Sequence, residues 1–107
     1  MQATIQMKPE HLALATQLLA DYAPDAEVWA YGSRVTGDAH AASDLDLVLR
    51  NPRDISCPQP RLLKLRAAFA DSTLPIIVEV HDWATIPENL RNEIERAYVV
   101  LRKPPVA

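Results

Sequence analysis

Gly32-Ser33-Arg34-Val35-Thr36-Gly37, then five residues, then Ser43-Asp44-Leu45-Asp46-Leu47-Val48-Leu49-Arg50 is the stretch on which the fold turns. The chain's two glycines both lie in it. Glycine is kept where the backbone must bend sharply or approach a ligand closely. Upstream, Glu27-Val28-Trp29-Ala30-Tyr31 has aromatic and β-branched character and predicts a buried strand ending at Gly32. Ser33 to Thr36 predicts a single helical turn closed by Gly37. Asp44 to Arg50 alternates acidic and apolar residues before running into Leu47-Val48-Leu49, which predicts a second strand. The short connection between the two strands fits an antiparallel pair, because a parallel pair needs a long crossover.

Further out, Leu12, Ala15, Leu19 and Tyr22 recur at helical spacing behind Pro9, which predicts a helix over Pro9 to Tyr22. Asn51 to Pro60 holds three prolines and reads as a loop. Leu62, Leu65 and Phe69 mark a second helix over Arg61 to Asp71. Ile76 to His81 is the most β-branched stretch and predicts a third strand. Pro87 opens a last helix with Leu90, Ile94 and Ala97 on its buried face. Lys103-Pro104-Pro105 reads as a tail. The expected fold is α/β, a small sheet with helices packed on it. A length of 107 residues fits one domain over 1–107, with a core of about 8–101 and a tail of 102–107.

Asp44 and Asp46 are two apart, so on a strand both side chains point the same way, separated by roughly 6.8 Å. Leu45, Leu47 and Leu49 then face the core. Two carboxylates aimed at one place repel unless a cation lies between them, and hard oxygen ligands suit Mg²⁺. Two such ions can clamp the attacking and leaving oxygens of an in-line displacement. Glu79, flanked by Val78 and Val80, is costly inside a β-branched strand unless paired or metal-bound, and is the candidate third ligand. Backbone N–H groups at Gly32 and Ser33 suit phosphate oxygens. A phosphate cradle beside a metal-binding pair points to chemistry on a nucleoside triphosphate with magnesium. Arg34 has two readings, a charge-assisted donor to the triphosphate or a surface ion pair.

Gly32-Ser33, ten residues, then Asp44-Leu45-Asp46 resembles the signature of the DNA polymerase beta-like nucleotidyltransferase superfamily. The fuller pattern, continued through Val78-Glu79-Val80-His81-Asp82-Trp83, resembles its minimal nucleotidyltransferase branch from about Glu27 to Leu101. The resemblance implies a mixed sheet flanked by helices and transfer of a nucleoside monophosphate, usually from ATP, to an acceptor hydroxyl. It implies that Gly32 and Ser33 hold the β- and γ-phosphates, that Asp44 and Asp46 bind both Mg²⁺ ions, and that Glu79 stands at the third carboxylate. Many relatives have aspartate there. Several members are antitoxins that modify a tyrosine of a helical HEPN ribonuclease toxin with AMP, so a HEPN-type toxin is the implied partner.

Composition narrows the alternatives. A net charge of −3 and no basic track argue against a nucleic-acid groove. No apolar run approaches the ~18 residues of a membrane helix, and Met1 to Lys8 lacks a signal-peptide pattern, so a cytoplasmic protein is expected. The single cysteine, Cys57, excludes an internal disulfide. Homo-oligomerisation stays open. Two competing functions remain: a binding module that masks a toxin without catalysis, and a small-molecule nucleotidyltransferase similar to the aminoglycoside-modifying enzymes. The latter usually carry an extra acceptor-binding domain, for which this chain has little room. Asp82 is assigned a turn or capping role, Trp29 and Trp83 a core or interface role, and His81 a place on the Glu79 face.

Overall fold

The computed structural model describes residues 5–104. Residues 1–4 and part of the expected tail (105–107) lie outside the described residues. The elements are α1 (Pro9–Tyr22), β1 (Glu27–Tyr31), α2 (Ser33–Thr36), β2 (Leu45–Arg50), α3 (Leu62–Ala70), β3 (Val78–Asp82), α4 (Glu88–Arg96) and β4 (Val99–Arg102). The four strands form one mixed sheet in the order β3-β2-β1-β4. β1 pairs antiparallel with both β2 and β4, and β2 pairs parallel with β3.

Each pairing follows from the length of its connection. β1 and β2 are joined through the short α2 turn and pair antiparallel, as expected. β2 and β3 are joined by a long crossover containing α3, so they run parallel. Leu45 N–H donates to Ile77 O and Trp83 N–H to Leu49 O, both at 2.9 Å, at the two ends of that parallel ladder.

Alternation along the strands sorts side chains to two faces. On one face Val28, Ala30, Leu45, Leu47, Leu49 and Val80 meet Ala15 and Leu19 of α1 and Leu65 and Phe69 of α3. On the other, Trp29 and Val48 meet Trp83, Ile86 and Ile94, with α4 as the cover. Arg50 lies in the notch between the two indoles, 4.2 Å from the Trp29 ring and 4.6 Å from the Trp83 ring. Its Nε is buried without a hydrogen-bond partner, and the ring faces supply the attraction.

Sequence and structure differ at both ends. The run after α4 forms an edge strand rather than ending the fold. Arg102, placed in the tail by the sequence, belongs to β4, and its Nη1 donates to Pro24 O at 2.8 Å. Before residue 8, Ile5 and Met7 pack against the core, so the packed unit is wider than 8–101. β3 also starts two residues later than expected, with its other limit at Asp82. The outer edge of β3 is covered: Arg66 of α3 donates to Val80 O through Nε at 3.0 Å and Nη2 at 2.7 Å. Such side-chain covers keep a sheet edge from pairing with another chain.

Leu47 is fully buried in the central strand. Leu47→Ala should cost about 2–5 kcal/mol. Urea denaturation followed by circular dichroism measures this; a loss below about 1 kcal/mol would mean that the layer under α1 and α3 is not the main core.

Candidate active site

The site lies at the end of the sheet where β1 leaves and β2 begins. Tyr31 is opposite Asp46 in the β1–β2 ladder, and Asp46 is beside Glu79 in the β2–β3 ladder. These three residues form a row across one sheet face. Asp44 precedes β2 and acts on Asp46 through its charge. Antiparallel and parallel registers thus converge on Asp46.

Gly32 ends β1 with φ +80°, and Gly37 closes α2 with φ +95°. Both values lie in the region that glycine alone adopts readily. Nothing lies near the place of a Cβ at Gly37, so backbone conformation alone requires glycine there. At Gly32 a Cβ would collide with Oδ2 of Asp46. The turn after β1 therefore rests directly against the central carboxylate. Gly32 O accepts hydrogen bonds from Val35 N–H and Thr36 N–H at 3.0 and 3.1 Å. Ser33, the first residue of α2, is half-buried at the same end.

The electrostatics show an uncompensated acidic site. The Asp46 carboxyl is pushed up to about 6, first by burial, then by Glu79 and Asp44, with His81 opposing. Asp46 and Glu79 are close enough to share a hydrogen bond. The Tyr31 phenol is pushed up to about 12, by burial and then by Asp46, Glu79 and Glu93. Burial and neighbouring like charge both disfavour the anionic form. A divalent cation relieves this repulsion, and hard carboxylate oxygens suit Mg²⁺. The residues therefore fit the ion. Among the described residues, however, no three His, Cys, Asp or Glu side chains converge as one ligand group. Asp46 and Glu79 share a face of the sheet and are drawn together, and Asp44 precedes β2 at the same end. Mg²⁺ commonly takes one or two carboxylates plus phosphate oxygens and water.

Other expectations are corrected or refined. Arg34 is not a surface ion pair, and main-chain carbonyls engage its guanidinium. It is only 7% exposed. Its guanidinium donates to main-chain carbonyls: Nε and Nη2 to Ser43 O at 3.1 and 2.8 Å, Nη2 to Ala41 O at 3.4 Å, and Nη1 to Gln6 O at 2.7 Å. Those carbonyls hold the guanidinium behind the loop. Asp82 caps as expected: buried, it accepts from Gln59 N–H at 2.6 Å and Ala84 N–H at 3.2 Å. Trp29 and Trp83 are core residues. His40 shapes the loop: its backbone N–H donates to Ser43 Oγ at 2.9 Å, and its Nδ1 accepts from Ala42 N–H at 3.3 Å. Sequence reasoning missed Tyr31 and Glu93. A hairpin register counted back from Asp46 would have found Tyr31; no local pattern places Glu93.

Comparison with known proteins agrees with this geometry. The sequence profile described as a nucleotidyltransferase domain matches residues 13–102. The chain belongs to that family. It is 40% identical over 103 residues to the probable protein adenylyltransferase MntA of Haemophilus influenzae (strain ATCC 51907 / DSM 11121 / KW20 / Rd), an alignment covering 94% of this chain and 87% of that protein. This relationship agrees with the minimal nucleotidyltransferase branch named above. A crystal structure of a toxin–antitoxin with AMP-PNP superposes with a TM-score of 0.68 over 90% of this chain and 74% of that one. At 22% identity it speaks to the fold. Among the described residues no helix is long and apolar enough to cross a membrane.

The raised Asp46 carboxyl makes the site costly to the metal-free fold. The folded state holds this proton more tightly than the unfolded chain does. Its contribution to stability therefore rises as pH falls through about 6 and levels off below the model-peptide value of 3.8. Metal-free protein should melt higher at pH 5 than at pH 7.5 from this group's contribution. Asp46→Asn should flatten that slope and stabilise the metal-free protein at pH 7.5 by about 1 kcal/mol after solvent screening, or roughly 4–8 °C. Calorimetric melting of both proteins across this range measures it.

Proposed function

We propose that this nucleotidyltransferase moves AMP from ATP to a hydroxyl of a protein partner, with Mg²⁺ as cofactor, and is the antitoxin of a HEPN-type toxin. The observation that carries the chemistry is the Gly32 turn seated on Asp46, with Glu79 alongside and Asp44 next to it. A phosphate-binding turn and metal-binding carboxylates in direct contact are what nucleotidyl transfer requires. The protein acceptor rests on the 40% identity to MntA, itself named a probable protein adenylyltransferase.

In this reading Gly32 and Ser33 hold the outer phosphates of ATP through backbone N–H groups and the Ser33 hydroxyl. Asp44, Asp46 and Glu79 would hold Mg²⁺, which neutralises charge on the phosphate oxygens and orients them. The acceptor oxygen bonds to the α-phosphorus, the bond to the diphosphate oxygen breaks, and diphosphate leaves. Glu79 is the exposed carboxylate of the three. It takes the hydroxyl proton as the new bond forms. His81, on the same face, balances part of the acidic charge.

Transfer of label from the α-phosphate of ATP to a co-expressed HEPN-type partner tests the proposal. Label should appear with Mg²⁺ and be lost on chelation. Asp44→Asn with Asp46→Asn should lower it by roughly 100-fold or more, with the fold intact by circular dichroism. Neutralisation of the toxin by an unlabelling double variant would instead support simple masking. Glu79→Gln should slow transfer by roughly 100-fold while nucleotide-analogue affinity changes by less than about threefold; equal losses in both would remove Glu79 from the proton step.

A further inference from the structure

The Arg34 guanidinium joins three main-chain carbonyls from two segments that are separate in sequence. One is Gln6, in the strap before α1. The second is Ala41, in the loop between Gly37 and β2. The third is Ser43, whose carbonyl takes both Nε and Nη2 and adjoins Asp44. The strap returns the contact: Gln6 N–H donates to Arg34 O at 2.7 Å. Ile5 and Met7 fix the strap to the core under α1 and α3.

The partners of this buried cation are as telling as its geometry. A buried guanidinium is usually matched by a carboxylate, because an unpaired charge is expensive to bury. Among the described residues, the hydrogen bonds of Arg34 all go to main-chain carbonyls. Carbonyl dipoles satisfy the donors without cancelling the positive charge. That charge sits one residue after Ser33, at the turn packed on Asp46.

We propose that Arg34 is the positioning residue of the nucleotide site: with the Ile5–Lys8 strap it fixes the Gly32 turn and the Ser43–Asp44 approach to β2 relative to each other, and its uncancelled charge favours the triphosphate. The proposal rests on the reading of this end of the sheet as a nucleotide site. It makes the strap part of that site. Arg34 touches no substrate; it acts through the main chain of the loop it holds. Lysine keeps the charge but cannot span the three carbonyls, since it lacks the planar fork.

Two measurements on this 107-residue chain test this. The first is hydrogen exchange of the amides over residues 32–44 without nucleotide. The second is calorimetric titration with a non-hydrolysable ATP analogue and Mg²⁺, well below each variant's melting temperature. Arg34→Met should speed exchange across 41–44 by at least about tenfold and weaken analogue binding by about tenfold or more, the scale of one or more lost charge-assisted bonds. Arg34→Lys should recover part of the affinity but not the exchange protection. Ile5→Asp, which loosens the strap and leaves Arg34 in place, should weaken binding several-fold and keeps the idea testable if Arg34→Met does not fold. Arg91→Met is the control: it loses two guanidinium–carbonyl bonds to Trp83 O at the opposite end of the sheet and should bind as wild type. Folded Arg34→Met and Arg34→Lys proteins with wild-type affinity and exchange would overturn the proposal, as would a folded Ile5→Asp protein with wild-type affinity for its strap component. Failure of the wild type to bind the analogue would count against the nucleotide reading, and the nucleotide-free exchange would still decide whether Arg34 fixes the loop.

Discussion

Direct contact between the Gly32 turn and the Asp46 carboxylate organises the molecule. A side chain at position 32 would displace Asp46, and the positive φ there already disfavours any residue but glycine. With the turn held against Asp46, β1 ends where β2 begins, and their antiparallel register follows. The register sets Tyr31 opposite Asp46, and the parallel ladder sets Glu79 on its other side. Asp46 and Glu79 are placed by hydrogen-bond ladders instead of by their own local sequence. Such placement is rigid, as a site that must hold reacting atoms requires.

The same packing produces the site's electrical strain. Burial and like charge raise the Asp46 carboxyl, while the main core lies on the far face of the sheet, under α1 and α3. The apolar layer carries stability and the acidic end carries chemistry, and β2 serves both by alternation. Leu45, Leu47 and Leu49 face one way; Asp46 and Val48 face the other. A one-residue slip of β2 would drive the carboxylate into the main core and take the leucines out of it, so the core itself enforces the register of the site.

Much of this was legible in the sequence because it depends on short-range periodicity. The two-residue spacing of Asp44 and Asp46, the glycines and the leucine alternation all act within one hairpin. Glu79 was legible as a costly residue in a strand, though its neighbour was not: the crossover over residues 51–77 separates β3 from β2. β4 was missed because Tyr98 to Leu101 follows α4 directly and reads as the apolar end of that region. The adjacent Val99 and Val100 were the available signal. Arg34 was misread for a physical reason. Arginine is rarely buried without a carboxylate, and nothing near Gly32 indicates that Gln6 lies within its reach. Glu93 reaches the site only because α4 folds back over the sheet.

The separation of the two layers also has an optical consequence. Both indoles of this chain, Trp29 and Trp83, lie in the α4 layer, 5.5 Å apart ring to ring, with Tyr98 stacked on Trp29. The layer under α1 and α3 contains neither. Tryptophan emission from this protein therefore reports on only one side of its sheet. Loosening of α4 changes that emission while the opposite layer stays intact, so emission and helical ellipticity diverge whenever the two layers come apart separately.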